Sequence, residues 1–229
     1  MEQYLTGRTA LVTGAGWGVG PACALFYAAH GAKVVVSDTN GEFVSNIVTG
    51  IKGNNGIATF IEADLSDPGA CEKLVERTIS TYGSIDIACN NSALTAESQP
   101  PVYRNIEGLT SGLDSNLESL FYCMKFEADA MQKKGGGVIV NMSCLPGVTG
   151  LAVWSPDTSA KYALAASKGP GFTYRPGGVR INTISPDLIR AALLENANRH
   201  EGAKAAIIPH PGRLSRIEQV IQLVLWLSV

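Results

Sequence analysis

A glycine-rich segment near the start of the chain has the spacing of a phosphate-binding turn. It covers residues 13–20 and reads TGAGWGVG. The GxGxxG pattern fits in neither register, because a valine or a proline falls where the third glycine should stand, whereas TGxxxGxG fits. Missing side chains let a backbone turn tightly and bring amide groups at a helix N-terminus against a pyrophosphate. A glycine-rich turn that binds nothing is the alternative. We assign to a nucleotide site Gly14, Trp17, Gly18, Val19 and Gly20.

Asp38 closes a short apolar run 18 residues after Gly20. An acid at this position can accept hydrogen bonds from both hydroxyls of the adenosine ribose, and its charge repels the 2′-phosphate of NADP. No arginine or lysine stands at Trp17 or Thr39 to bind that phosphate. A simple turn acid before Asn40 is the other interpretation. With the glycines, Asp38 favours NAD as the cofactor.

The sequence resembles the short-chain dehydrogenase/reductase family over nearly its whole length, through motifs that follow one another in the family's order. After the glycine turn come Asp64 and Leu65, NNSA at residues 90–93 where the family has NNAG, Asn116, NMSC at residues 141–144 and ISP at residues 184–186. The resemblance implies a Rossmann-type fold, a nicotinamide cofactor and a small-molecule alcohol or carbonyl substrate. It implies further cofactor contacts at Asp64, Leu65, Asn91, Lys168, Pro186 and Ile189.

The catalytic residues that the resemblance implies are only partly in place. The family uses a tyrosine as general acid/base and a lysine four residues later, so that one helical turn puts both on one face. Here Leu164 stands four residues before Lys168, and Tyr162 stands six before, about 240° away on a regular helix. Either a longer loop carries Tyr162 into the site or Tyr162 is a packing residue. The family's Ser-Ser pair reads Ser143-Cys144. The catalytic candidates are Asn116, Ser143, Tyr162 and Lys168.

Alternating secondary structure must position these residues. Short β-branched runs indicate strands at residues 9–13, 33–37, 57–62, 85–89, 137–142 and 179–184, and amphipathic segments indicate helices at 19–30, 42–51, 69–82, 117–134 and from 217. Strands that alternate with helices predict right-handed crossovers and an α/β, doubly wound Rossmann-type parallel sheet of about six strands, with helices on both faces. We expect one NAD-binding domain over residues 1–229, with a substrate lid at about 188–213 whose apolar residues favour a nonpolar substrate.

Composition narrows the classes of partner. The chain has 229 residues, 45% of them hydrophobic, and a net charge of -2, which argues against a nucleic-acid-binding surface. Five scattered cysteines without CxxC spacing and three histidines without ligand spacing predict free thiols and no metal site, with the histidines at the surface or in loops. The apolar runs are far shorter than the roughly 20 residues of a membrane span. No signal-peptide pattern is present at the start, so we expect a cytoplasmic protein without a membrane partner.

The segment after Lys168 affects the oligomeric state that we expect. Gly169, Pro170 and Gly171 oppose continuation of the helix, since a proline inside a helix costs about 3 kcal/mol. In the family this helix pairs with the long one, here at residues 117–134, across a subunit boundary. The remnant is too short for half of such an interface, so we expect a monomer or a weak homodimer.

Two functions stay open at this point. One is an NAD-dependent oxidoreductase that interconverts an alcohol and a carbonyl by hydride transfer. The other is a nucleotide-binding relic of the family that is catalytically silent or does non-redox chemistry. Leu164 and the interrupted helix favour the relic, as do Asp187 and Ala191 in place of the glycine and threonine of the family's PGxxxT.

Overall fold

Six parallel strands form one sheet in the computed structural model, which describes residues 2–91, 117–143, 163, 173–186 and 216–229. The strands are β1 (Thr9–Thr13), β2 (Lys33–Ser37), β3 (Ile57–Phe60), β4 (Ile87–Asn91), β5 (Gly137–Met142) and β6 (Val179–Ile184). The helices of the described residues are α1 (Gly20–Ala29), α2 (Gly41–Gly53), α3 (Pro68–Tyr82), α4 (Ser119–Lys134) and α5 (Ile217–Ser228), with a short 3₁₀ turn at Arg175–Gly177. The predicted doubly wound α/β fold is confirmed.

The helices cover the sheet on both faces. Residues of α1, α2 and α5 pack on one face, against side chains such as Val12, Val36 and Val140. Residues of α3 and α4 pack on the other, against Leu11 and Ile139. Neighbouring residues of one strand thus enter different cores, which explains why the strands are almost continuously apolar.

The strand order is β3-β2-β1-β4-β5-β6, so the direction in which the chain adds strands reverses at β1. Crossovers leave β1 and β4 towards opposite ends of the sheet, and this leaves a crevice at the carboxyl ends of these two strands. Ligands of open α/β sheets bind in such crevices. The glycine turn follows β1 directly and therefore lies at this point.

Two strand boundaries differ from the predicted ones. The third strand ends at Phe60 rather than at residue 62, because its regular pairing with β2 stops at Val36. The fourth strand covers 87–91 rather than 85–89, so Asn90 and Asn91 lie inside it and not after it. Asparagine is disfavoured in strands by its polar side chain, but here the side-chain amides find buried hydrogen-bond partners.

His30 is one of the histidines expected at the surface or in loops. It lies in the turn that follows α1, as one of these alternatives has it, and it is buried there. Its Nδ1 lies 2.7 Å from the Glu2 carbonyl oxygen, and its ring packs edge-on against Phe26. His30 is therefore part of the packing at the base of α1. Within the described parts of the chain, no helix has the length and apolarity to cross a bilayer.

Candidate cofactor site

In the turn between β1 and α1, close backbone contacts leave no room for a side chain at two of the glycines. Gly14 has a φ of 56°, and a Cβ on it would overlap the backbone carbonyl oxygen of Asn91. A Cβ on Gly20 would likewise overlap the Gly14 carbonyl. Gly18 differs, since its φ is 63° but nothing lies within 4 Å of the place a Cβ would take. The turn is therefore tightly packed against β4 at Gly14 and open beside Gly18.

Asp38 is bound to this turn from the end of β2. Its Oδ2 accepts a hydrogen bond from the Gly16 amide at 2.9 Å, and its Oδ1 accepts one from the Asn40 amide at 3.0 Å. A Cβ on Gly16 would lie 3.0 Å from the carboxyl carbon, so a side chain there would press on the carboxylate. Sequence reasoning assigned Asp38 but missed Gly16. The sequence does show Gly16 as a fourth glycine in the turn, but the TGxxxGxG pattern allows any residue at that position.

Asn91 supports the turn from β4. Its Nδ2 donates to the carbonyl oxygens of Gly14 and Trp17, at 2.8 and 3.1 Å. The side chain is buried and both of its amide hydrogens are directed at the turn backbone. Asn91 therefore fixes the shape of the turn. The sequence analysis expected a direct contact with the cofactor at Asn91 and did not predict this supporting role.

Asn90 points to the opposite face of the sheet, because successive side chains of a strand alternate. Its Oδ1 accepts from Thr13 Oγ1 at 3.1 Å, and its Nδ2 donates to Glu127 Oε2 at 2.9 Å and to Asn141 Oδ1 at 3.2 Å. Glu127 comes from α4 and is fully buried. Burial raises the pKa of its carboxyl to about 7, although the bond from Asn90 acts in the other direction. Sequence reasoning missed Glu127, whose spacing from the apolar Met124 and Met131 places it on the buried side of α4.

These residues belong to a polar row across the carboxyl end of the sheet, on the face that α3 and α4 cover. Its members are paired in register from strand to strand. They are Ser37, Thr13, Asn90, Asn141 and Thr183. The described residues include three side chains with a buried polar atom that has no hydrogen-bond partner, and all three belong to this row or touch it: Ser37, Thr183 and Glu127.

Asp64 and Leu65 follow β3, next to the end of β2. The amide of Ala63 donates to the Asp38 carbonyl oxygen at 3.4 Å, which brings this segment beside the ribose-binding candidate. Asp64 is exposed, and hydrogen bonds from the Ser66 hydroxyl and amide lower the pKa of its carboxyl. Leu65 is half-buried against the α3 and α4 core. The structure thus brings Asp64 to the same edge of the sheet as the glycine turn.

Two further candidates lie at the neighbouring strand ends. Ser143 follows β5 and is buried, and its amide donates to the Ile184 carbonyl oxygen of β6 at 2.8 Å. Pro186 follows β6 and is half-buried. The remaining candidates and the expected lid at about 188–213 lie outside the described residues: Asn116, Cys144, Tyr162, Lys168 and Ile189. The catalytic arrangement therefore stays a prediction, whereas the turn, Asp38, Asp64 and Asn91 lie at one edge of the sheet.

The geometry fits a nicotinamide dinucleotide. An open space lies beside Gly18 at the N-terminus of α1, where backbone amides and the helix dipole favour a phosphate. Asp38 lies one strand away, at the position from which a carboxylate reaches an adenosine ribose in this type of fold. Gly14, Gly18, Gly20 and Asp38 would hold the dinucleotide. The fold is of the Rossmann type, and the candidate site lies at the edge of the sheet where folds of this type bind dinucleotides.

Comparison with known proteins gives the family. The family "short chain dehydrogenase" matches residues 8–202. The chain is 34% identical to a cyclohexanol dehydrogenase of Acinetobacter sp. (strain SE19), over 99% of this chain and 90% of that protein. It is 30% identical to a 2,5-dichloro-2,5-cyclohexadiene-1,4-diol dehydrogenase of Sphingobium indicum, over 97% and 90% of the two chains. This chain therefore belongs to the short-chain dehydrogenase/reductase family of oxidoreductases.

Solved structures have the same architecture. A short-chain dehydrogenase/reductase from Burkholderia xenovorans, described as putative, superposes with a TM-score of 0.85 at 28% identity, over 98% of this chain and 90% of the other. Levodione reductase superposes with a TM-score of 0.87 at 25% identity, over 97% and 91%. The six-stranded parallel sheet is the one these relatives share.

Proposed function

We propose that this protein is an NAD-dependent dehydrogenase that interconverts a small, nonpolar alcohol and the corresponding carbonyl compound. The observation that carries the choice of NAD is the Asp38 carboxylate, which is bound to the Gly16 amide of the phosphate turn. A negative charge fixed at this place accepts hydrogen bonds from ribose hydroxyls and repels a 2′-phosphate. The chain carries no arginine or lysine at Trp17 or Thr39 that would neutralise that phosphate.

A cyclic secondary alcohol is the first substrate to test. Support comes from the relatives, of which one 34% identical is a cyclohexanol dehydrogenase and another acts on a chlorinated cyclohexadiene diol. Apolar residues in the proposed lid, Leu193-Leu194 and Ile207-Ile208, agree with a ring of low polarity. The single domain over residues 1–229 would then bind the ring between this lid and the carboxyl ends of β4 and β5.

The chemistry requires one proton transfer by a side chain. A bound nicotinamide would accept the hydride from the carbinol carbon. Tyr162 would take the hydroxyl proton as the alcohol becomes a carbonyl, and Lys168 would lower the pKa of its phenol towards neutrality. Ser143 would hydrogen-bond the substrate oxygen, and Asn116 would hold a water molecule. In the reductive direction Tyr162 would return the proton to the carbonyl oxygen.

Turnover of cyclohexanol with NAD, followed through the absorbance of reduced nicotinamide, tests this proposal. Tyr162→Phe is expected to lower kcat by about 100-fold or more while leaving the Kd for NAD unchanged, because the general acid/base is lost and no cofactor contact is. Tyr4→Phe, at an exposed tyrosine, is the control and should retain full activity. A Tyr162→Phe variant that keeps most of its activity would exclude Tyr162 as the acid. Cys144 would be tested next, although a thiol is a weak hydrogen-bond donor.

The second candidate is a nucleotide-binding relic, and Leu164 is the observation that favours it. Leucine has no proton to transfer, and it stands where the family has its tyrosine. A relic of this kind would bind NAD with ordinary affinity and would turn over neither cyclohexanol nor the corresponding ketone. The binding and turnover measurements therefore separate the two candidates.

A further inference from the structure

Glu127 is a buried carboxyl group that stability alone does not explain. It lies on α4 without exposed surface, and in the part of the chain that the structure describes only one of its oxygens has a hydrogen-bond partner. A buried carboxylate with a single hydrogen bond is poorly compensated for the loss of water. An apolar side chain of similar size would fill the same place without that penalty.

Asn90, the hydrogen-bond partner of Glu127, connects this carboxyl to the two strands that flank the cofactor turn. The Nδ2 of Asn90 donates to the Glu127 carboxyl, and its Oδ1 accepts from the Thr13 hydroxyl. Thr13 immediately precedes Gly14, the first glycine of the turn. Asn90 immediately precedes Asn91, whose side chain holds the carbonyl oxygens of Gly14 and Trp17. The ends of β1 and β4 are thus joined beneath the turn by a bond network that ends at Glu127.

We propose that Glu127 is a positioning residue for the cofactor turn, which acts by holding Asn90 and, through it, the ends of β1 and β4. This inference rests on the proposed function, because it concerns the site to which NAD is assigned. What the role requires is a hydrogen-bond acceptor at Oε2. The carboxyl charge itself is not required.

The described residues around Glu127 supply no cation. Among the described residues, the titratable groups that interact with it are the thiols of Cys71 on α3 and Cys123 on α4. Their sulfur atoms lie 4.0 Å apart. The polar residues that the strands contribute at this end of the face are all uncharged: Ser37, Thr13, Asn90, Asn141 and Thr183. Asn90 is therefore the group that connects Glu127 to the rest of the site.

Two substitutions at Glu127 separate positioning from stability. Glu127→Gln keeps an acceptor for Asn90 but leaves its new amide hydrogens unpaired, so it should lower the free energy of unfolding and leave the Kd for NADH within about twofold. Glu127→Met removes the acceptor and the buried charge, so at pH 8 it should be as stable as the wild type yet bind NADH about tenfold more weakly. With saturating NAD, kcat should be unchanged in both variants. Asp129→Asn, at an exposed ion pair on the same helix, is the control and should change none of these.

Calorimetric titration with NADH and urea unfolding of the same samples give the answer. A Glu127→Met variant that binds NADH as tightly as the wild type contradicts the inference, as does affinity that simply follows stability across the two variants. If Glu127→Met does not fold, Thr13→Val removes the donor on the other side of Asn90, and unchanged NADH affinity in that variant contradicts it as well. A wild type that binds neither NADH nor NADPH overturns the proposed function itself, and the inference with it.

Discussion

Asp38 combines two roles that a charge-neutral side chain can separate. As an acceptor it holds the Gly16 and Asn40 amides, which orients the turn and the start of α2. As a charge it would, under the proposed function, disfavour the 2′-phosphate of NADPH, because a phosphate beside a carboxylate is repelled. The first role belongs to the fold and the second to cofactor choice. Replacement of the carboxylate by its amide removes the charge but leaves one acceptor oxygen, so it can keep the bond from the Gly16 amide or the bond from the Asn40 amide but not both.

Asp38→Asn should narrow the preference for NADH over NADPH, mainly by raising the affinity for NADPH. We expect a gain of about fivefold for NADPH, since removal of one close like charge at a solvent-accessible site is worth about 1 kcal/mol. Asp38→Ala should also lose NADH affinity, because the acceptor for Gly16 is gone. Fluorescence titration with both reduced cofactors measures these changes. Unaltered selectivity in both variants would show that another residue makes the choice.

Glu127 makes the free energy of unfolding fall as pH rises, which is the opposite of the usual effect of a carboxyl group. Its pKa is raised from 4.5 to about 7 in the folded state by burial. Between these values the folded chain holds a proton that the unfolded chain has lost, so unfolding releases a proton and a rise in pH favours it. This contribution is complete below about pH 4.5 and is lost by pH 7 to 8, with a total of about 3 kcal/mol.

Urea unfolding of the wild type and Glu127→Gln from pH 5 to pH 8 measures that contribution. The difference in free energy of unfolding between the two should shrink as pH rises, because only the wild type loses stability through this group. A difference that stays constant over the whole range would mean that Glu127 titrates at its ordinary pKa.

At the scale of elements, the strands and helices followed from the sequence, but the registers at the site did not. Periodicity placed β1, β2, β5 and β6 at their observed bounds, since buried parallel strands read as short β-branched runs. It placed β4 two residues too early because asparagine is a poor strand former. What brings Asn90 and Asn91 into the strand is the set of partners they find on β1 and α4, and no local pattern contains those partners.

The same limit applies to the site. Asp38 and the glycines could be assigned because each is recognised from the local sequence at the end of its own strand, β2 or β1. The role of Asn91 depends on the approach of β4 to Gly14, and that of Glu127 on the packing of α4 against the sheet. Long-range contacts of this kind become visible only in the folded structure. The relation of Tyr162 to Lys168 is likewise not local, since their spacing does not match one helical turn.

Gly14 and Gly50 form a matched pair that tests the specification of the turn. Gly14→Ala would place a Cβ against the Asn91 carbonyl at a positive φ, so we expect a loss of at least 2 kcal/mol in stability and no measurable NADH binding. Gly50→Ala lies within α2 and meets only one side-chain atom at 3.9 Å. It should stabilise the protein by about 0.5–1 kcal/mol. Thermal unfolding and cofactor titration of both variants check this. Equal stability and equal NADH affinity of the two variants would contradict the tight packing of the turn at Gly14.

At the scale of the whole molecule, α4 divides its apolar residues between the sheet and the surface. Leu120, Met124 and Ala128 are buried against the strands, whereas Phe121 is 60% exposed. The segment that the family resemblance pairs with α4 across a subunit boundary contains Gly169, Pro170 and Gly171. Its sequence predicts a helix of under three turns, which would offer little area compared with the more than 1,000 Å² of a stable interface.

The molecule is therefore expected to be a monomer or a weak homodimer. Sedimentation at micromolar concentration should give a mass near 24.1 kDa, with a dimer only at higher concentration. Phe121→Ser should then leave the mass unchanged or weaken the dimer. A stable tetramer that Phe121→Ser dissociates would show that α4 retains the family's interface.

A direct comparison of NADH and NADPH binding by the wild-type protein tests the proposed use of NAD by this short-chain dehydrogenase. Isothermal titration with NADH and NADPH should give a Kd for NADH at least about tenfold lower, because Asp38 faces the added phosphate without a neighbouring cation among the described residues. Equal affinities, or tighter binding of NADPH, would contradict the claim.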